Sequence, residues 1–206
     1  MNAEEYSERG DKYFREKDFD LAIKDFTEAI RLDPNFTAAY ITRGLSYLEK
    51  QKIAVKSLQG LECLKRENYE YDLAISDFTE VIRLIPNDAI AYYRRAFVYI
   101  KKNIEANETK AIADLTEAIC IDPNFVQAYN LRAYIYSSKP PIMDNRENLI
   151  KNYYNPAIAD FTEIIRITPN DADTYFKRSR MYDLIGDNVR AEADRQMVER
   201  LKNIRN

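Results

Sequence analysis

Apolar side chains recur along this chain at spacings of three, four and seven, the period of helices with one buried face. The pattern comes in copies. The block Ala22–Asn35, AIKDFTEAIRLDPN, returns as AISDFTEVIRLIPN from Ala74, as AIADLTEAICIDPN from Ala111 and as AIADFTEIIRITPN from Ala157. A degraded copy, AEADRQMVERL, starts at Ala191. In the first block Ala22, Phe26, Ala29 and Ile30 make the apolar stripe, and Pro34 stops the helix and turns the chain. A second pattern precedes each block: Tyr6, Arg9, Gly10 and Tyr13 in the first copy, then Tyr40, Arg43, Gly44 and Tyr47. It continues as Tyr92, Arg95, Ala96 and Tyr99, as Tyr129, Arg132, Ala133 and Tyr136, and as Tyr175, Arg178, Ser179 and Tyr182. These residues share a helix face, and the small one in the middle lets a neighbouring helix approach. Each copy is a helix–turn–helix, and five in a row predict an all-α stacked array whose core grows with repeat number.

The opening tyrosines lie 34, 52, 37 and 46 residues apart, so three units carry 18, 3 and 12 extra residues. From Asp25 to Arg43 is 18 residues, as it is from Asp77 to Arg95, Asp114 to Arg132 and Asp160 to Arg178. The extra residues therefore fall in the turn within a unit and decorate one edge of the array. The constant spacing also predicts a ladder of ion pairs across the stacking interfaces, Asp25 with Arg43 and so on. The longest insert, residues 50–70, keeps a helical spacing through Ala54, Leu58, Leu61 and Leu64, with Gly60 as its one turn residue. It predicts that both helices of the second unit extend into a protruding hairpin, with Leu58, Leu61 and Leu64 as a candidate assembly surface. In the fourth unit's insert, residues 138–154, Pro140-Pro141 ends the first helix and Arg146–Tyr154 forms a short extra one. Asn155-Pro156 reads there as an N-cap followed by an N1 proline.

With Tyr6, Gly10, Tyr13, Ala22, Phe26 and Pro34 in order, the first unit resembles the tetratricopeptide repeat family. The resemblance runs from about Ala3 to the C-terminus and implies a single domain, 1–206, built as a right-handed superhelical solenoid of five units. Their bounds are about 3–36, 37–88, 89–125, 126–171 and 172–206, the last a cap. Two positions depart from the family pattern throughout: Tyr replaces the usual Trp, and Arg the usual Leu. The fifth copy also has Arg195 where Phe is expected, which suits a terminal helix with one face in water. In this family the concave face lined by the first helices binds partners. Its centre maps onto Ile41, Leu45, Tyr93, Arg94, Phe97, Asn130, Leu131 and Tyr134. Its polar ends map onto Glu4, Ser7, Glu8 and Asp11, and onto Asp173, Lys177 and Arg180. A variant of the family holds the acidic C-termini of heat-shock chaperones with a clamp of Lys, Asn and Arg. The matching positions here are Ser7, Asp11, Thr42, Ile90 and Arg94, of which only Arg94 fits.

The balance of charge narrows the partner class. Net charge is −3, so the basic face expected of a nucleic-acid binder is absent. No apolar run is long enough for a bilayer. The chain contains no histidine, no Gly-rich phosphate loop and no nucleophile with a base beside it, so neither an enzyme nor a metal or cofactor site is expected. Cys63 and Cys120 lack metal or redox spacing, and Cys120, inside a repeat block, reads as a core residue. The acidic, polar N-terminus carries no signal peptide, which points to the cytoplasm, or to periplasm or secretion if a leader was removed. The expected function is a protein-interaction scaffold that binds a peptide or partner segment by apolar and aromatic anchors. The alternative is self-association through the second unit's insert, giving a homodimer.

Overall fold

A computed structural model describes residues 1–57, 69–139 and 145–204, and among them every regular element is a helix. The chain divides into two compact bodies, Met1–Ile121 and Asp122–Asn206. The first holds α1 (Ala3–Arg15), α2 (Phe19–Leu32), α3 (Thr37–Ser57), α4 (Tyr69–Leu84) and α5 (Ala89–Ile121). In the second are α6 (Val126–Ser137), α7 (Arg146–Leu149), a π-helical turn (Ile150–Tyr154), α8 (Asn155–Ile167), α9 (Ala172–Ile185) and α10 (Asn188–Ile204). α5 is two helices in one run, because Asn103 breaks it with φ −172° and ψ 110°. The Asn103 side chain then accepts from the Ala106 N–H at 3.0 Å and caps the second half.

Side-chain caps start the helices where the periodicity places them. Asn2 and Glu5 form a reciprocal capping box at α1, and Asp18 accepts from the Leu21 N–H at the start of α2. The apolar stripes meet within and between pairs: Ala22, Phe26 and Ala29 are fully buried together with Tyr6 and Tyr13 packed against them, and Ala74 and Phe78 of α4 are fully buried with Val98 of α5. The small residue of the first helix is a packing requirement. A Cβ on Gly10 would come within 2.9 Å of the Phe26 ring, and one on Gly44 within 3.1 Å of Phe78.

The turn inside the first pair passes through Lys17 at φ 64°, while the equivalent turn inside the last pair has Gly186 at φ 86°. Both deliver the same bonds, from the N–H of Lys17 to Phe14 O and of Gly186 to Asp183 O. A left-handed conformation costs a side-chain-bearing residue ~1–2 kcal/mol, and glycine returns ~0.5–1 kcal/mol of that as lost chain entropy. Lys17→Gly should therefore stabilise the chain by roughly 0.5–1 kcal/mol, read as a higher urea midpoint at unchanged slope.

The recurrent Asp and Arg do pair, but not across the interfaces. Each Arg grips the Asp of its own helical pair: Arg9 with Asp25, Arg43 with Asp77, Arg95 with Asp114, Arg132 with Asp160 and Arg178 with Asp194. The bonds are bidentate at 2.6–3.0 Å and the carboxylates are buried. Each guanidinium also lies 5.3–5.8 Å over the ring of the Tyr three residues before it. The link between successive pairs is made by the remaining nitrogen. Arg43 Nη1 donates to Thr27 Oγ1, Arg95 to Thr79 and Arg178 to Thr162, at 3.0–3.1 Å. Two facing helices of one hairpin bring Arg and Asp together whatever the loop between them. The constant sequence interval instead sets the register of Arg on the preceding Thr.

The other departures are local. α3 runs eight residues past Glu49, the position matching the end of α1, which adds ~12 Å of helix. Gly60 and the candidate assembly residues Leu58, Leu61 and Leu64 lie outside the described residues. Asn155 is not an N-cap. Its N–H donates to Ile150 O in the π turn, so the extra helix runs into α8 without a break. Pro156 has no N–H to satisfy, which lets the wide turn precede it. Cys120 is exposed, not in the core. It stands where the other blocks carry Arg31, Arg83 and Arg166, on the solvent side of the helix. Arg195, in place of the buried Phe, points outward and pairs with Asp183 and Glu192 on the terminal helix pair.

Candidate functional site

Among the described residues each body carries a cavity on its first-helix face. In the first body Leu45, Leu48, Glu49 and Lys52 of the lengthened α3 face Tyr93, Arg94, Phe97 and Lys101 of α5. Phe14 and Tyr71 complete a cavity of about 730 Å³. Helical spacing explains the sharing of one wall, since 94, 97 and 101 differ by three, four and seven and 93 lies one turn before 97. Below that wall Leu45, Leu48 and Tyr71 pack onto the cluster of Ala74, Phe78 and Val98, so the site rests on the core.

The lining is apolar with a cationic rim. Lys101 Nζ lies 5.2 Å over the Phe97 ring, and Lys52 pairs with Glu49 at 3.3 Å. Arg94 is half-buried and has no hydrogen bond or ion pair among the described residues. Burial pulls its pKa down, opposed by the charge of Asp88, and burial alone pushes the Tyr93 phenol up.

In the second body a cavity of about 390 Å³ is lined by Asn130, Tyr134, Ser137, Ser138 and Lys139 at the end of α6. Across it stand Phe161, Lys177, Arg180, Met181 and Leu184. Tyr134 is 56% exposed, and Phe176, on the same helix as Lys177, is 49% exposed.

Eight groove residues were expected from the sequence. Leu45, Tyr93, Arg94 and Phe97 come together in the first cavity, Asn130 and Tyr134 line the second, and Leu131 lines neither. Ile41 packs against the cluster of Tyr40, Val81 and Ala91. Ser7, expected at a polar end of the groove, is buried. Phe14, Leu48, Tyr71 and Lys101 were missed. Phe14 and Leu48 hold the same position in the last turn of their first helices and Lys101 the one after it, so that shared position was the available signal; Tyr71, on a second helix, carried none. Among the described residues no group of three or more His, Cys, Asp or Glu could hold a metal ion. No helix among them is long and apolar enough to cross a membrane.

The family model for the tetratricopeptide repeat matches residues 3–36. Human serine/threonine-protein phosphatase 5 is 34% identical over 94 residues, 46% of this chain, and the chain spans 15% of that phosphatase's length. A crystal structure of MamA protein superposes with a TM-score of 0.74 at 19% identity, covering 98% of this chain and 92% of that one. The structure of YrrB, described as a TPR protein with an unusual peptide-binding site, superposes with a TM-score of 0.67 at 15% identity. There the coverage is 96% of this chain and 85% of the other. The family model thus matches the first helical pair, its pattern recurs through the remaining pairs, and the chain has the fold of tetratricopeptide-repeat proteins.

Proposed function

We propose that this protein is an interaction scaffold whose first-body cavity holds a peptide or partner segment by apolar and aromatic anchors. The observation that carries the reading is the wall of Tyr93 and Phe97 facing Leu45 and Leu48 across about 730 Å³. That volume is in the range that takes two or three large side chains, and an apolar concavity with a few polar groups is the usual form of a ligand site. YrrB, a protein of the same fold, is described by its peptide-binding site. Ile41 is proposed to extend this groove in the first body, and Asn130, Leu131 and Tyr134 to offer a groove of their own on the first helix of the second body.

The test is fluorescence anisotropy with labelled Ala/Gln decapeptides that carry two Phe, two Leu or no apolar residue. Peptides with anchors should bind, those without should not, and Phe97→Asp should weaken binding at least tenfold, about 1.4 kcal/mol. Circular dichroism of the variant should match wild type. Binding that ignores the anchors, or that survives Phe97→Asp in a folded variant, would refute the reading.

A further inference from the structure

Along α1 we infer a cation-selecting end to the first-body groove: Glu8 and Asp11, with Glu4 beyond them, take Lys or Arg residues that flank the partner's apolar anchor. This rests on the scaffold reading and adds the charge of the partner. The repeat register puts these acids on the surface that forms the cavity. Asp11 precedes Leu45 by 34 residues, as Tyr6 precedes Tyr40, and Leu45 precedes Phe97 by 52, as Tyr40 precedes Tyr92. Leu45 and Phe97 line the cavity, and so does Phe14, one turn after Asp11 on α1. α1 packs against α3, so Asp11 is the next position along the same face.

Glu4, Glu8 and Asp11 follow one another at helical spacing, and none has a hydrogen bond or ion pair among the described residues. The cations of α1 are directed elsewhere: Arg9 grips Asp25, and Lys12 meets Glu16 at 4.0 Å. Burial pushes the Asp11 carboxyl up, the charge of Arg15 pulls it down, and Glu8 pushes it up again. Like charges one turn apart destabilise a helix, so a ligand cation relieves a repulsion that the free chain carries. Ser7 gives a second, independent sign. It shares this face, holds the register position of the cavity residue Tyr93, and is only 7% exposed, yet its hydroxyl has no hydrogen bond among the described residues. Buried hydroxyls are ordinarily paired, and an ammonium or guanidinium beside Glu8 and Asp11 brings a donor to Ser7 Oγ. Arg94 and Lys101 make the far side of the cavity cationic, so charge complementarity turns the partner's basic residues towards α1.

The probes are three labelled peptides with both ends blocked, Lys-Lys-Phe-Gln-Phe-Gln-Gln, Gln-Gln-Phe-Gln-Phe-Lys-Lys and Gln-Gln-Phe-Gln-Phe-Gln-Gln, titrated with the full chain at low and at high salt. One of the lysine peptides should bind at least tenfold tighter than the glutamine peptide at low salt, and added salt should erode that gain. Glu8→Gln with Asp11→Asn should remove the gain, and Asp11→Asn alone should reduce it if the double variant folds poorly. Phe97→Ala should weaken lysine and glutamine peptides alike. Equal binding of the three peptides overturns the inference while leaving anchor-dependent binding in the first cavity standing. A lysine gain untouched by both variants overturns it too. So does a molar mass that grows with concentration and falls back in the double variant, because the occupant would then be a second copy of the chain. A lysine gain that the double variant removes, with no effect of Phe97→Ala on any peptide, supports the acidic face and removes the first-cavity anchor reading instead.

Discussion

Replacing Arg43 by Met will destabilise the first body by about 3 kcal/mol at neutral pH, and the deficit will shrink as the pH is lowered. Arg43 Nε and Nη2 reach Asp77 at 3.0 and 2.7 Å, and the side chains are 16% and 4% exposed. Removing one partner of such a pair leaves an uncompensated buried charge, which typically costs ~3–5 kcal/mol. The low end applies because the guanidinium is not fully covered. Burial pushes the Asp77 carboxyl up, and Arg43 pulls it back down. Without Arg43 the upward push is unopposed, so the native variant binds a proton more readily than the unfolded chain, whose aspartates titrate near ~3.9. Stability of the variant then rises as pH falls towards that value, and more steeply than in wild type. Urea unfolding at several pH values between 7 and 4.5 reads the gap. A gap that stays constant or widens on acidification would show that Asp77 is not carrying the cost.

The second large effect is expected at Phe78, where truncation to Ala should cost ~3–5 kcal/mol. Phe78 is fully buried, under the close approach of Gly44 and beneath Leu45, Leu48 and Tyr71 of the cavity wall. The loss should therefore appear twice, as a lower thermal midpoint and as weaker binding of anchor peptides at a temperature where the variant is still folded. The third unit suggests a compensation, since Ala96 and Leu115 stand where Gly44 and Phe78 do and both are fully buried. Gly44→Ala combined with Phe78→Leu should be less destabilised than the sum of the two single changes. Strict additivity would mean that the glycine is not there for the ring.

What the sequence could determine by itself was whatever a single helical period or a single repeat encodes. The block around Phe26 states which face is apolar, Pro34 states where the helix stops, and five copies state the class of fold. The position of Cys120 was also legible, because the other blocks place an arginine there, and only the local apolar setting argued otherwise. Partnership was different. The interval from Asp25 to Arg43 is constant, but two helices of one hairpin face each other at any loop length, so the carboxylate went to Arg9 and the register to Thr27. Asn155 likewise looked like a cap, until the bonds of the preceding turn showed the helix already under way. The cavities were beyond the sequence for a related reason. Phe14, Tyr71 and Lys101 come from three different helices, and side chains distant along the chain share a wall only once the packing of Phe26 and Phe78 has set how closely those helices approach.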